Sequence, residues 1–131
     1  MILDSSAVIA ILRQEPEAAS FAKAIESAPA VRMSAVNYVE SAVVIDAQRD
    51  PVASRRFDDL IQKAGVEIVG VTPEHARLAR EAYRSFGRGT GHPAKLNFGD
   101  CFAYALAVES GESLLFKGLE FNKAGLKQAV A

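Results

Sequence analysis

The sequence predicts an α/β fold, a central and mainly parallel sheet with helices on both faces, and three observations carry that prediction. Short apolar runs of strand length, MIL at 1–3, VRM at 31–33, VEIVGV at 66–71 and SLLF at 113–116, are separated each time by segments of helical character. Parallel strands need such crossovers, which cover the sheet on both sides. The stretch from Leu96 to Phe121, LNFGDCFAYALAVESGESLLFKGLEF, shows the unit in full: an apolar helix opened by Gly99-Asp100, a tight Ser110-Gly111-Glu112 turn, a buried strand, and an exit through Lys117-Gly118-Leu119-Glu120. Carboxylates recur where strands end or helices begin, at Asp4, Asp100 and Glu120. In an open α/β sheet that edge is where ligands bind.

In chain order, Asp4-Ser5-Ser6 caps a short helix running through Arg13, and Pro16-Glu17 opens a second that reaches about Ala28. After the strand at 31–33, Ser34 caps a longer helix over Ala35 to Arg49. Asp50-Pro51 supplies cap and first-turn proline for the next, which stops at Gly65. Thr72-Pro73-Glu74 follows the 66–71 strand and starts a helix whose apolar face includes Ala76, Ala79, Ala82, Tyr83 and Phe86, closed by Gly87. Residues 87–97, GRGTGHPAKLN, have three glycines, a proline and no hydrophobic period, and read as a surface loop, either a mobile basic lip over the site that touches phosphates or a solvated connector.

The 131 residues make one domain, 1–131, in which folding hides roughly two-thirds of the unfolded surface. Half of the residues are hydrophobic, 24% are charged, and there is neither a repeat nor a low-complexity run. The start MILDSS lacks a basic n-region, and no apolar run approaches the 18 or so residues of a membrane span, so the expected location is the cytoplasm, with no membrane partner. The single cysteine, Cys101, lies in an apolar helix pattern and reads as a small core residue. A net charge of −1 advertises no nucleic acid, yet from Ala82 to Gly99 there is no acid at all, while Arg84, Arg88, Lys95 and His92 are present.

Glu40 is the carboxylate that structure explains least. On its helix, Val36, Val43, Val44 and Ala47 fall within about a quarter turn of one another, and Glu40 projects from that stripe. An inward glutamate needs a cation, a hydrogen-bond network or a raised pKa, because burying it unpaired costs several kcal/mol. Asp46 turns away from the stripe and reads as surface. Asp4 and Asp100 taken singly are ordinary helix-start aspartates, and Glu120 an ordinary loop acid. Together the four converge on the ligand edge. Carboxylates about 5 Å apart repel by around 3 kcal/mol per pair at an effective dielectric near 20, so such a cluster calls for cations. Hard oxygen ligands suit Mg²⁺ or Mn²⁺. Zinc is disfavoured, because His75, His92 and the one cysteine show no ligand spacing. The chemistry that follows is metal-assisted phosphodiester hydrolysis.

The segments Met1 to Ala7 (MILDSSA), Ser34 to Glu40, Asn97-Phe98-Gly99-Asp100-Cys101 and Leu114-Leu115-Phe116-Lys117-Gly118 are similar, in order and across the whole chain, to the motifs of PIN-domain ribonucleases, specifically the VapC-type toxins of bacterial toxin–antitoxin pairs. The resemblance implies a three-layer α/β/α sandwich and an Mg²⁺-dependent endoribonuclease, acting on RNA and held inactive by a VapB-type antitoxin whose C-terminal segment crosses the active-site groove. It implies a homodimer, metal ligation by Asp4 and Asp100, completion of the acidic site by Glu40 and Glu120, and support from the hydroxyl of Ser5. This chain departs from the family where Glu120 stands for the more usual aspartate, where Gly118 replaces an acid of other PIN domains, and where Ala124-Gly125 replaces a Thr-Asp.

Two other functions compete. A phosphatase or receiver-like protein phosphorylated on a strand-end aspartate would carry a second acid soon after Asp4, and none follows before Glu15. A catalytically weak PIN-fold module that binds RNA or an antitoxin would keep RNA without cutting it.

Overall fold

The computed structural model describes residues 1–130. Four parallel strands, β1 (Ile2–Leu3), β2 (Arg32–Ser34), β3 (Glu67–Val69) and β4 (Leu114–Leu115), form one sheet in the order β3-β2-β1-β4. Helices α1 (Ser5–Leu12), α2 (Ala18–Ser27), α3 (Ala35–Asp46), α4 (Pro51–Lys63), α5 (Pro73–Phe86), α6 (Phe98–Ser110) and α7 (Glu120–Lys123) make the crossovers and the last turn. The expected elements are all present, most of them shorter at their ends than the sequence pattern suggested. Helix α3 stops at Asp46 rather than Arg49, and β3 keeps three of the six expected residues. The one element not foreseen is α7.

Side chains alternate across the strands, and that alternation divides the core. Ile2 and Leu114 point into one apolar cluster with Ala79, Leu106, Phe116 and Phe121 of the α5, α6 and α7 side. Their neighbours Leu3 and Leu115 point into another, with Val8, Phe21, Ile25, Ile45 and Phe57 of the α1 to α4 side. Both faces of the sheet are therefore covered, as an α/β/α sandwich requires, and each of these central residues contributes about 1.5–3 kcal/mol by leaving water. Ile2, Leu3, Leu114 and Leu115 are no more than 1% exposed.

Helix starts follow the capping residues. Asp4, Ser34, Asp50, Thr72 and Asn97 each accept a backbone N–H of the first turn, and proline opens α4 and α5. Strand order places β1 in the middle of the sheet, with the chain leaving it towards β2 and returning on its other side as β4. The direction of winding thus reverses between β1 and β4, and a crevice opens at the carboxyl ends of those two strands. Asp4 follows β1 directly, and Lys117-Gly118 follows β4.

Candidate active site

The crevice has a volume of about 380 Å³, and its walls include Asp4, Ser6, Asn97, Asp100 and Glu120, with Arg88, Lys95, Lys117 and Lys123 around them. Asp4 is buried and Asp100 partly so, while Glu120 and the cations Arg88, Lys95 and Lys123 are exposed.

Asp4 is 2% exposed and is both the N-cap of α1 and the floor of the crevice. Its Oδ2 accepts the Ser6 backbone N–H at 2.9 Å and the Ser6 hydroxyl at 2.5 Å. The Ser6 hydroxyl in turn accepts the Lys117 backbone N–H at 2.9 Å, which ties the end of β4 to the start of α1. The other oxygen, Oδ1, is buried with no hydrogen-bond partner among the described residues. Leaving a buried acceptor unpaired costs about 1–3 kcal/mol, and more for a charge, so this atom needs a ligand or a proton. Burial accordingly pushes the Asp4 carboxyl up to about 6, helped by the charge of Glu40 and opposed by the Ser6 hydrogen bonds.

Asp100 stands at the third position of α6 in a capping box. Its backbone N–H donates to Asn97 Oδ1 at 2.9 Å, while its own Oδ2 accepts the Asn97 N–H at 3.0 Å. Burial first, then the charges of Asp4, Glu40 and Glu120, push its carboxyl up to about 7 against the Asn97 N–H, which lowers it. That list of neighbours shows that the four predicted carboxylates share one electrostatic environment.

Glu40 reaches this environment by a route that the sequence pattern had wrong. The stripe of Val36, Val43 and Ala47 is not the buried face: Val39 and Val43 are 56% and 60% exposed, and α3 buries Asn37, Ser41 and Ile45 instead. Two polar side chains on the inward face hide it from a count of apolar residues. Glu40 flanks that face and is half-buried, its Oε1 accepting the Ser5 hydroxyl at 2.5 Å and Asn37 Nδ2 at 3.4 Å. Its carboxylate lies flat on Gly99, where a Cβ would overlap it. The hydroxyl of Ser5 thus supports Glu40, and Ser6 is the residue that orients Asp4.

Glu120 is exposed and begins α7 rather than lying in a loop. Its carboxylate packs over Gly118, whose φ of +103° suits glycine and where a Cβ would meet the same carboxylate. A side chain at position 118 would displace the Glu120 carboxylate from where it now packs and would be strained by the positive φ.

Sequence reasoning missed Ser6, Asn37 and Asn97. Asn37 is fully buried and donates to the Gly99 carbonyl at 2.9 Å, fastening α3 to the start of α6. The available signal was its place three residues before Glu40, in the first turn of α3. Lys117, on the crevice wall, is tied to Glu15 and Glu17 at 2.9 and 3.2 Å. The 87–97 loop is pinned as well: Gly87 bridges Leu96, and Arg88 N–H donates to the Leu96 carbonyl at 2.8 Å. Cys101 is a core residue as expected, 3% exposed, its thiol pushed up to about 11 by burial and then by Asp100.

No three histidine, cysteine or acidic side chains among the described residues converge tightly enough to hold a cation unaided. Mg²⁺ does not ask for that, since it keeps several waters and binds through one or two carboxylates plus substrate phosphates. The unpartnered Asp4 Oδ1, beside a second carboxyl that burial disfavours as an anion, fits such an ion. A separate apolar cleft of about 420 Å³ between α5 and α6, walled by Ala79, Tyr83, Phe98 and Phe102, contains no carboxylate.

Residues 1–127 match the family described as PIN domain. Over 130 residues the chain is 53% identical to Ribonuclease VapC28 of Mycobacterium tuberculosis, covering 99% of this chain and 98% of that one. It is 43% identical over 129 residues to Ribonuclease VapC42 of the same species, covering 98% of each. Among solved structures it resembles M. tuberculosis VapC20, described as a sarcin-ricin loop cleaving toxin, with a TM-score of 0.75 at 16% identity over 99% of this chain and 98% of the other. A toxin–antitoxin complex from Klebsiella pneumoniae matches with a TM-score of 0.67 at 16% identity, over 90% of this chain and 86% of that one. At 16% identity these structural matches speak for the fold alone.

Proposed function

The chain belongs to the PIN-domain family, among its VapC ribonucleases, and on that premise we propose that it is the toxin of a toxin–antitoxin pair, a metal-dependent endoribonuclease whose acidic site is Asp4, Glu40, Asp100 and Glu120. The observation that carries the reading is the buried, unpartnered Oδ1 of Asp4, in a crevice lined by both acids and cations.

Asp4 and Asp100 would hold Mg²⁺, or Mn²⁺ in its place, and such an ion, when bound, supplies an activated water and charge neutralisation at the phosphate. The chain's own residues do the rest. Ser6 holds Asp4 Oδ2, which leaves Oδ1 as the oxygen without a protein partner among the described residues. Asn97 likewise holds Asp100 Oδ2. Ser5 and Asn37 hold Glu40, and its charge helps keep Asp4 and Asp100 receptive to a cation. Arg88 and Lys95 on the crevice wall neutralise flanking phosphates, which the acids alone would repel.

A VapB-type antitoxin is the protein partner. Exposed Val39, Val43 and Phe98, the last 72% exposed, support contact surfaces for the antitoxin and for a second copy in a homodimer. Among the described residues no helix is long and apolar enough to cross a membrane, and we place the protein in the cytoplasm with its RNA.

The test is cleavage of a labelled mixture of structured cellular RNAs by the purified chain, freed of co-purifying partner, with Mg²⁺, Mn²⁺ or EDTA, beside Asp4→Asn. Cleavage that needs metal and disappears in the variant supports the reading. Equal cutting by both proteins assigns the activity to a contaminant. A folded chain that binds Mn²⁺ and retains RNA without cutting it brings forward the catalytically weak binding module.

A further inference from the structure

Beside the carboxylate crevice lies a second cavity of about 530 Å³, lined by Arg88, Gly89, Gly91, His92 and Lys95. Arg88 and Lys95 line both cavities, so a strand lying in the first continues into the second. The two differ in sign: the crevice has three acids in its wall, and this pocket has none.

The pocket is a built one. Tyr83 donates its hydroxyl to the Arg88 carbonyl at 2.9 Å, Thr90 donates to the Gly87 carbonyl at 2.6 Å, and the His92 N–H donates to Thr90 Oγ1 at 3.4 Å. Lys95 is held in the left-handed region, φ 51°, between fully buried Ala94 and Leu96. Such a conformation is strained in a non-glycine residue and is kept where the surroundings over-determine it. The ring of His92 stands edge-on to Phe86, centroids 5.0 Å apart. Its Nδ1 receives the Ala94 backbone N–H at 3.0 Å. A backbone amide can only donate, so Nδ1 carries no proton and the ring's one N–H is on Nε2. No partner takes that N–H among the described residues. Two cations and an oriented neutral donor, with no acid in the pocket's own lining, form a receptor for an anionic oxygen.

We propose that this pocket is a subsite for one phosphate of the RNA strand flanking the bond that is cut, with Arg88 and Lys95 as its charges and His92 Nε2 as the donor that fixes its position. The substrate identity rests on the ribonuclease reading above.

The experiment measures binding of a short single-stranded RNA in EDTA, and its cleavage with Mg²⁺ or Mn²⁺, by the wild-type chain, His92→Phe and His92→Gln. Phenylalanine keeps the edge-on packing and removes the donor, and glutamine returns a neutral donor. His92→Phe should weaken binding about tenfold, as expected for losing one hydrogen bond to a charged group, and raise KM by a similar factor with little change in kcat. His92→Gln should recover part of the loss. A single uncharged methylphosphonate at the matching flanking linkage should weaken binding by the wild type more than binding by His92→Phe, which has already lost the His92 contact and keeps only those of Arg88 and Lys95. Equal sensitivity of wild type and His92→Phe to every substituted linkage overturns the proposal, as does an effect on kcat alone. Absence of metal-dependent cutting by the wild type is the failure of the ribonuclease reading, and the binding arm in EDTA still decides the subsite. RNA that even the wild type does not bind overturns both.

Discussion

Replacing Asp4 by asparagine should stabilise the metal-free fold at neutral pH while abolishing its chemistry. The carboxyl sits near 6 in the fold against 3.8 as its ordinary value. For an acid raised on folding, the fold binds the extra proton, so stability is full below the unfolded value near 4 and falls as pH rises towards the folded value. Once ionised above about pH 7, Asp4 costs the fold about 3 kcal/mol, from 1.36 kcal/mol per tenfold change in proton affinity. Asparagine still caps α1 and can accept from Ser6, but it carries no charge into the buried site. The cap change itself is independent of pH, so the informative quantity is how the difference between the two proteins varies. Urea unfolding in EDTA from pH 4 to 8 should show the variant gaining about 2–3 kcal/mol relative to wild type across that range, most of it by pH 7. Mg²⁺ should then stabilise the wild type and leave the variant unmoved. A stability difference that stays constant from pH 4 to 8 would refute the claim that the Asp4 anion is uncompensated.

Other outcomes follow from the same geometry. Gly99→Ala places a Cβ 2.5 Å from Glu40 Cδ and evicts that carboxylate from Ser5, while alanine gains about 1 kcal/mol of helix propensity. Thermal unfolding should therefore shift little, and metal-dependent cleavage should drop at least tenfold. Glu120→Asp should keep cleavage with Mg²⁺, because residue 120 is exposed at the mouth of the crevice and the shorter acid relieves its packing on Gly118. Loss of cleavage in that variant would place Glu120 among the indispensable acids. Arg88→Gln combined with Lys95→Gln should flatten the dependence of log K on log salt for single-stranded RNA by about 0.7, the increment for the one phosphate that the two side chains share, with Mn²⁺ affinity unchanged. An unaltered slope would reduce the loop to a connection.

The fold was legible because its signals are local. Caps at Asp4, Ser34, Asp50 and Thr72, with prolines behind two of them, mark helix starts whatever the tertiary context, and β-rich runs between helices leave little choice but a parallel sheet. Helix α7 escaped because one turn of four residues has no period to show. The role of Gln128 escaped for a different reason: its amide takes the Phe116 N–H at 3.1 Å beside a bridge from 128 to Leu114, a long-range contact with no local signature. Among the site residues, Asp4 and Asp100 could be placed from position alone, since strand ends and helix starts at a winding reversal define the crevice. Glu40 was placed correctly on a mistaken face. An inward surface made of Asn37 and Ser41 reads as outward when only apolar residues are counted, and only the packing of Glu40 on Gly99 explains why the carboxylate turns in. Ser6 and Asn97 were invisible as orienting groups because a side chain that holds a cap looks the same in sequence whether or not the capped residue does chemistry.

Both central aspartates are helix-start residues as well as site residues, and each therefore has one oxygen committed to the scaffold. Asp4 Oδ2 serves Ser6, and Asp100 Oδ2 serves Asn97. Neither can offer both oxygens to the same ion without undoing a helix start. Calcium favours six to eight oxygens, bidentate carboxylates among them, whereas magnesium takes single oxygens and fills the remaining positions with water. If Asp4 and Asp100 hold the metal as proposed, the way α1 and α6 begin would itself discriminate between the two ions, with a helix cap as a filter on ion size.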